Sequence, residues 1–124
     1  MKTVFIAEDM DDNFNSIKIV FEEALPQCVL RRAKNGKEIV EMIEKEPKPD
    51  LILMDMLMPF MDGVEATLRV RKKYSKKELP IIALTAQDVI IDRQIVFDAG
   101  CNEYLSKPFT IAQMMEKVNF YLEL

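Results

Sequence analysis

The chain has 124 residues, 49% hydrophobic and 31% charged, with a formal charge of −4 at pH 7. That length suits one domain around a single core, expected over residues 1–124, and the acidic balance argues against non-specific binding to nucleic acid. Histidine is absent, which excludes Ser-His-Asp and Cys-His catalysis and any histidine relay within the chain.

In chain order, Val4-Phe5-Ile6-Ala7 is a continuous apolar run, too short for a signal-peptide core and followed at once by acids. Phe14, Ile17, Phe21, Ala24 and Leu25 then share a helical face that Pro26 ends, with Asp11, Asp12 and Asn13 supplying the cap. Val29 to Ala33 is a mixed run containing Arg31 and Arg32, which suits a strand at a sheet edge. Ile39, Val40 and Ile43 mark a second helix that stops before Pro47, and Leu51 to Met54 is another apolar run. Val64 and Leu68 mark a third helix. The basic runs Arg69–Lys73 and Lys76-Lys77 read as its solvated face and the loop after it.

Ile81 to Leu84 is the last continuous apolar run, and a fourth helix is predicted from about Asp92 to Ala99, capped by Gly100. Glu103 to Ser106 reads as a fifth strand. Thr110 and Gln113 form a capping box for a final helix whose stripe is Ile111, Met114, Met115, Val118 and Leu122. Apolar runs without alternation suit strands buried on both faces, so five β/α units predict an α/β, doubly wound parallel sheet. The cysteines, Cys28 and Cys101, form no metal or redox motif, and no run approaches membrane-spanning length. A reducing, cytoplasmic setting is expected.

Ligands of such sheets bind outside the carboxyl ends of the strands. The first run ends in Glu8-Asp9, the third in Asp55, the fourth in Thr85 and the fifth in Ser106-Lys107. The second ends without an equivalent polar group. Three carboxylates, a hydroxyl and an ammonium are thus expected on one rim. Carboxylates so crowded call for a cation, and an all-oxygen set suits Mg²⁺ rather than zinc. Asp55 beside Mg²⁺ and Lys107 is a candidate nucleophile toward phosphorus, with Thr85 set to hydrogen-bond the transferred group. Taken singly, each of these is an ordinary cap or surface residue; their coincidence at four strand ends carries the reading.

The blocks Glu8-Asp9, Asp55-Met56-Leu57-Met58-Pro59, Met61-Asp62-Gly63, Leu84-Thr85-Ala86 and Tyr104-Leu105-Ser106-Lys107-Pro108 resemble the receiver domains of two-component response regulators over essentially the whole chain. The resemblance implies a flavodoxin-like fold with strand order 2-1-3-4-5. It implies that Asp55 takes a phosphoryl group from a phosphohistidine on a kinase or phosphotransfer protein. Asp9, Asp55 and the Leu57 backbone carbonyl would bind Mg²⁺, with Glu8 acting through water. Thr85 and Tyr104 would move as switch residues, and Lys107-Pro108 would be a cis peptide. The readout to a downstream protein would lie on the fourth helix, fifth strand and fifth helix, in a monomer or a weak phosphorylation-linked dimer.

Leu57 and Gln87 occupy positions that modulate loss of the phosphoryl group in this family. Val89-Ile90-Ile91, with Ile95 on the same helical face as Ile91, reads first as core and second as a partner patch. Two rival functions fit less well. A haloacid-dehalogenase-type phosphatase carries Asp-x-Asp after its first strand and a cap domain. A flavodoxin-type electron carrier needs a phosphate loop where Glu8-Asp9-Met10-Asp11-Asp12 would repel phosphate. No enzymatic turnover is expected beyond phosphoryl self-transfer and weak autodephosphorylation.

Overall fold

A computed structural model describes residues 1–86 and 93–124. The expectations for Gln87, for Val89-Ile90-Ile91 and for a helix start at Asp92 lie outside the described residues. The strands are β1 (Thr3–Ala7), β2 (Val29–Ala33), β3 (Leu51–Asp55), β4 (Ile81–Ala86) and β5 (Glu103–Lys107). They alternate with α1 (Asp11–Ala24), α2 (Gly36–Lys45), α3 (Gly63–Arg71), α4 (Arg93–Ala99) and α5 (Ile111–Leu122). All pairings are parallel and the sheet order is β2-β1-β3-β4-β5, the order the resemblance implied.

The sheet divides two cores. On one face Phe5, Ile52, Met54 and Ile81 pack with Ile39 and Ile43 of α2, Ala66 and Val70 of α3 and Val96 of α4. On the other, Val4, Ile6, Leu53 and Ile82 meet Ile17 and Phe21 of α1 and Met114, Val118 and Leu122 of α5. Every residue of β3 is buried, whereas β2 alternates toward solvent, as befits an edge. No helix among the described residues is long and apolar enough to cross a membrane.

Side chains cap three helix starts, of which only the last was expected from the sequence. Asn35 Oδ1 accepts from Glu38 N at 2.8 Å, Asp62 Oδ1 from Glu65 N at 2.9 Å, and Thr110 and Gln113 close a reciprocal capping box. The first helix differs. Its N-cap position is Met10, which has no side-chain oxygen to cap with, and Asp11, the first helical residue, accepts from Arg32 at 2.7 Å. Three apolar assignments also change: Ala24, Leu68 and Ile111 face solvent. Helix α3 buries Ala66, Thr67 and Val70 instead, small side chains that allow close packing and leave little apolar periodicity to read.

Arg71 is the clearest correction to the basic-run reading. Its guanidinium donates to the carbonyls of Gly100 (2.9 Å), Tyr74 (3.3 Å), Ser75 (3.0 Å) and Leu79 (2.8 Å), and to Asn102 Oδ1 (3.0 Å). It gathers the end of α3, the following loop and the residues before β5, where backbone acceptors outnumber backbone donors. Arg71→Met keeps much of the aliphatic stem and strands these acceptors, so a loss of about 2–4 kcal/mol is expected in urea unfolding. A loss below about 1 kcal/mol, that of an exposed ion pair, would return Arg71 to the solvated face.

Two glycines stand where backbones touch. A Cβ on Gly36 would collide with the Met61 backbone. One on Gly63 would collide with the Asp55 carbonyl oxygen and come within 2.7 Å of Met56 Cα.

Candidate functional site

The carboxyl ends of β1, β3, β4 and β5 bring the predicted polar residues to one rim. Asp55 closes β3 opposite Leu84, one residue before Thr85, and Thr85 is in turn opposite Ser106, one residue before Lys107. Ser106 itself points to solvent. Glu8 follows β1 directly, and its side chain is fully buried. Parallel register therefore delivers the chemistry: once the strands pair, their polar ends cannot be far apart.

The distances are short. Lys107 Nζ donates to Glu8 Oε1 at 2.6 Å and to Asp55 Oδ2 at 3.0 Å. The Leu57 amide donates to Asp55 Oδ1 at 2.9 Å, so both acceptor oxygens are held. Glu8 Oε2 accepts from Met10 N at 3.3 Å. Oxygen atoms of Glu8, Asp9 and Asp55 lie within 4.8 Å of one another. Burial first, and the neighbouring Asp55 next, push the Glu8 carboxyl up to about 7 against the pull of Lys107. For Lys107, burial favours the neutral amine, but Glu8 and Asp55 outweigh it and hold the ammonium above its usual range.

One ammonium thus binds two of three clustered carboxylates, and the surplus of acidic oxygen could hold a cation. Oxygen-only donors fit Mg²⁺, which takes carboxylates and backbone carbonyls and retains water. The Leu57 carbonyl accepts no hydrogen bond among the described residues.

Thr85 Oγ1 is buried and makes no hydrogen bond among the described residues, although the hydroxyl of a buried threonine ordinarily finds one. Tyr104, half-buried, has its ring 4.8 Å below the Arg93 guanidinium of α4. Thr85 and then Ser106 lie near enough to hold the Tyr104 phenol below its usual range, without the geometry of a hydrogen bond to Thr85. The Lys107-Pro108 peptide is cis.

Sequence reasoning missed Arg32. Its Nε and Nη2 donate to the Glu8 carbonyl at 3.1 and 3.0 Å, from the strand read as ending without a polar group. The available signal was an arginine pair in an edge strand facing the run Glu8 to Asp12. A cavity of about 560 Å³ lined by Lys2, Lys48, Asp50, Glu78, Phe120 and Tyr121 lies among residues flanking the opposite ends of the strands, away from Glu8, Asp9 and Asp55.

Comparison with known proteins agrees with this geometry. The family model described as the response regulator receiver domain matches residues 4–119. The polar-differentiation response regulator DivK of Brucella anthropi is 31% identical over 121 residues, covering 98% of this chain and 96% of that one. The receiver domain of the Francisella response regulator 1452 is 29% identical with a TM-score of 0.84, covering 99% of this chain and 98% of that one. The receiver domain of the sensor histidine kinase PA1611 of Pseudomonas aeruginosa, solved with a magnesium ion coordinated in its active site cleft, is 29% identical with a TM-score of 0.86 and the same coverage. Nothing in these comparisons supports the phosphatase alternative. The chain belongs to the receiver domains of two-component response regulators.

Proposed function

We propose that Asp55 accepts a phosphoryl group from a phosphohistidine on a histidine kinase or phosphotransfer protein, and that residues 1–124 act as one switch. The observation that carries this is the single ammonium of Lys107, 2.6 Å from Glu8 and 3.0 Å from Asp55, in a pocket of three carboxylates. An oxygen of Asp55 attacks phosphorus, the new O–P bond forms as the N–P bond of the donor breaks, and the imidazole leaves to the partner. The donor histidine must lie outside residues 1–124, which contain none.

Glu8 (through water), Asp9, Asp55 and the Leu57 carbonyl are the groups that would hold Mg²⁺, which when bound disperses charge building on the phosphoryl oxygens. Lys107 neutralises part of the same charge. The Thr85 hydroxyl, without a hydrogen-bond partner among the described residues, would donate to a phosphoryl oxygen, and its movement would free space for Tyr104 to turn inward. Phosphorylation adds roughly −1.5 to −2 charges at pH 7, enough to bias two arrangements of one surface. That surface is α4-β5-α5, where Ile95, Ile111 and Phe120 are exposed apolar side chains suited to a downstream protein. The domain works in the cytoplasm as a monomer or weak phosphorylation-linked dimer, without contacting nucleic acid or membrane and without turnover beyond slow loss of the phosphoryl group.

Incubation with Mg²⁺ and acetyl phosphate is expected to add one phosphoryl group per chain by intact mass, and beryllofluoride to shift the amide resonances of Thr85 and Tyr104. If neither reagent modifies or shifts the protein, the switch reading is wrong.

A further inference from the structure

Arg32 connects the edge strand to the acidic pocket by contacts that a surface arginine does not make. Two of its nitrogens converge on one acceptor, the Glu8 carbonyl, at 3.1 and 3.0 Å. A third donates to Asp11 Oδ1 at 2.7 Å. The guanidinium also lies 4.7 Å from the centre of the Phe14 ring in α1, and the Arg32 side chain is only 16% exposed. The Glu8 amide is meanwhile bonded to the Ala33 carbonyl at 3.0 Å. Both peptide groups of Glu8 are therefore tied to the end of β2.

The carbonyl that Arg32 grips belongs to the peptide joining Glu8 to Asp9. A guanidinium presents planar, fixed donors, so two bonds to one oxygen orient that peptide where a single bond would let it swing. Asp9 follows immediately, and its carboxylate completes the oxygen cluster with Glu8 and Asp55. The bond to Asp11 holds the guanidinium from its other side, so the grip on the Glu8 carbonyl is fixed at both ends.

We infer that Arg32 is a positioning residue for the metal-binding acids: it sets the peptide that aims Asp9. The inference rests on the Mg²⁺ reading of Glu8, Asp9 and Asp55. Substituting a group that orients metal ligands from behind weakens affinity by about ten- to a hundred-fold in metalloproteins. Because Asp9 is only one ligand of several, the lower end is expected here.

The test is a Mg²⁺ titration followed by amide resonances, with urea unfolding measured on the same samples. Arg32→Ala is expected to raise the Mg²⁺ dissociation constant by about ten-fold. Arg32→Lys, which keeps the charge but has a single nitrogen, should fall between Arg32→Ala and wild type. Asp11→Asn leaves the carbonyl grip in place and should stay within about three-fold of wild type. Arg32→Ala that loses stability but keeps wild-type Mg²⁺ affinity would make Arg32 purely architectural and overturn the proposal. Should Arg32→Ala fail to fold, Arg32→Lys decides: wild-type affinity overturns the proposal and a several-fold loss supports it. A wild-type protein that does not respond to Mg²⁺ would instead remove the metal reading, and the proposal with it.

Discussion

Asp55→Asn is expected to abolish phosphoryl uptake while leaving the metal-free domain at least as stable as the wild type. The amide has the shape of the carboxylate, and its oxygen can still accept from the Leu57 amide, the partner 2.9 Å from Asp55 Oδ1. It carries no anionic oxygen to attack phosphorus, and loss of the nucleophile should cost at least about a thousand-fold in rate. Stability should move the other way. Three carboxylates cluster around a pocket with one ammonium that binds two of them, so deleting one charge relieves repulsion at a site that is 6% exposed, while Lys107 keeps its 2.6 Å bond to Glu8. Intact mass after acetyl phosphate treatment and a urea midpoint measure both halves. A variant phosphorylated at the wild-type rate would move the acceptor elsewhere, and one that merely unfolds would leave the role of Asp55 unproven by this route.

The second large effect is a reciprocal dependence on pH and Mg²⁺. The Glu8 carboxyl sits at about 7 in the folded metal-free pocket against 4.5 as its ordinary value. The folded state thus binds the proton more tightly than the unfolded chain. Stability from this group is fully present below about 4.5 and is lost as pH rises through about 7, by at most about 3 kcal/mol. The direction is the reverse of that of a salt-bridged acid, whose stability is lost in acid. Mg²⁺ competes with the same proton, so its apparent affinity should rise about ten-fold per pH unit below 7 and level off above it. Urea unfolding from pH 5 to 8 with and without excess Mg²⁺ checks the sign: the metal-free midpoint should fall and the two curves diverge. Parallel curves would exclude Glu8 as the titrating group.

The strand ends were legible because parallel sheets advertise themselves. Val4 to Ala7, Leu51 to Met54 and Ile81 to Leu84 are apolar without alternation, and the first polar residue after each run marks the rim. Glu8, Asp55 and Thr85 follow from that reading alone, Lys107 needed the mixed fifth strand Glu103 to Ser106, and the family resemblance added Leu57, Tyr104 and the turn at Pro108. What escaped was carried by long cations acting on backbone. Arg32 and Arg71 each bind main-chain carbonyls, an interaction with no periodicity and no partner residue type to recognise. Helix α3 was misjudged for a related reason. Its core face is made of Ala66, Thr67 and Val70, and the larger Leu68 is the residue left outside. Hydrophobic size is a poor guide where a helix packs closely enough that glycine is needed at its first residue.

That glycine also decides where the pocket can yield. With no Cβ at Gly63, the first turn of α3 rests directly against the carbonyl of Asp55, and the Gly63 amide is bonded to the Met56 carbonyl at 3.1 Å. The proposed acceptor therefore rests on a close backbone contact, while on the neighbouring β4 the Thr85 hydroxyl has no hydrogen-bond partner among the described residues. A methyl group at Gly63 would press on the Asp55 carbonyl, so Gly63→Ala is expected to displace the carboxylate that the proposed function makes the acceptor.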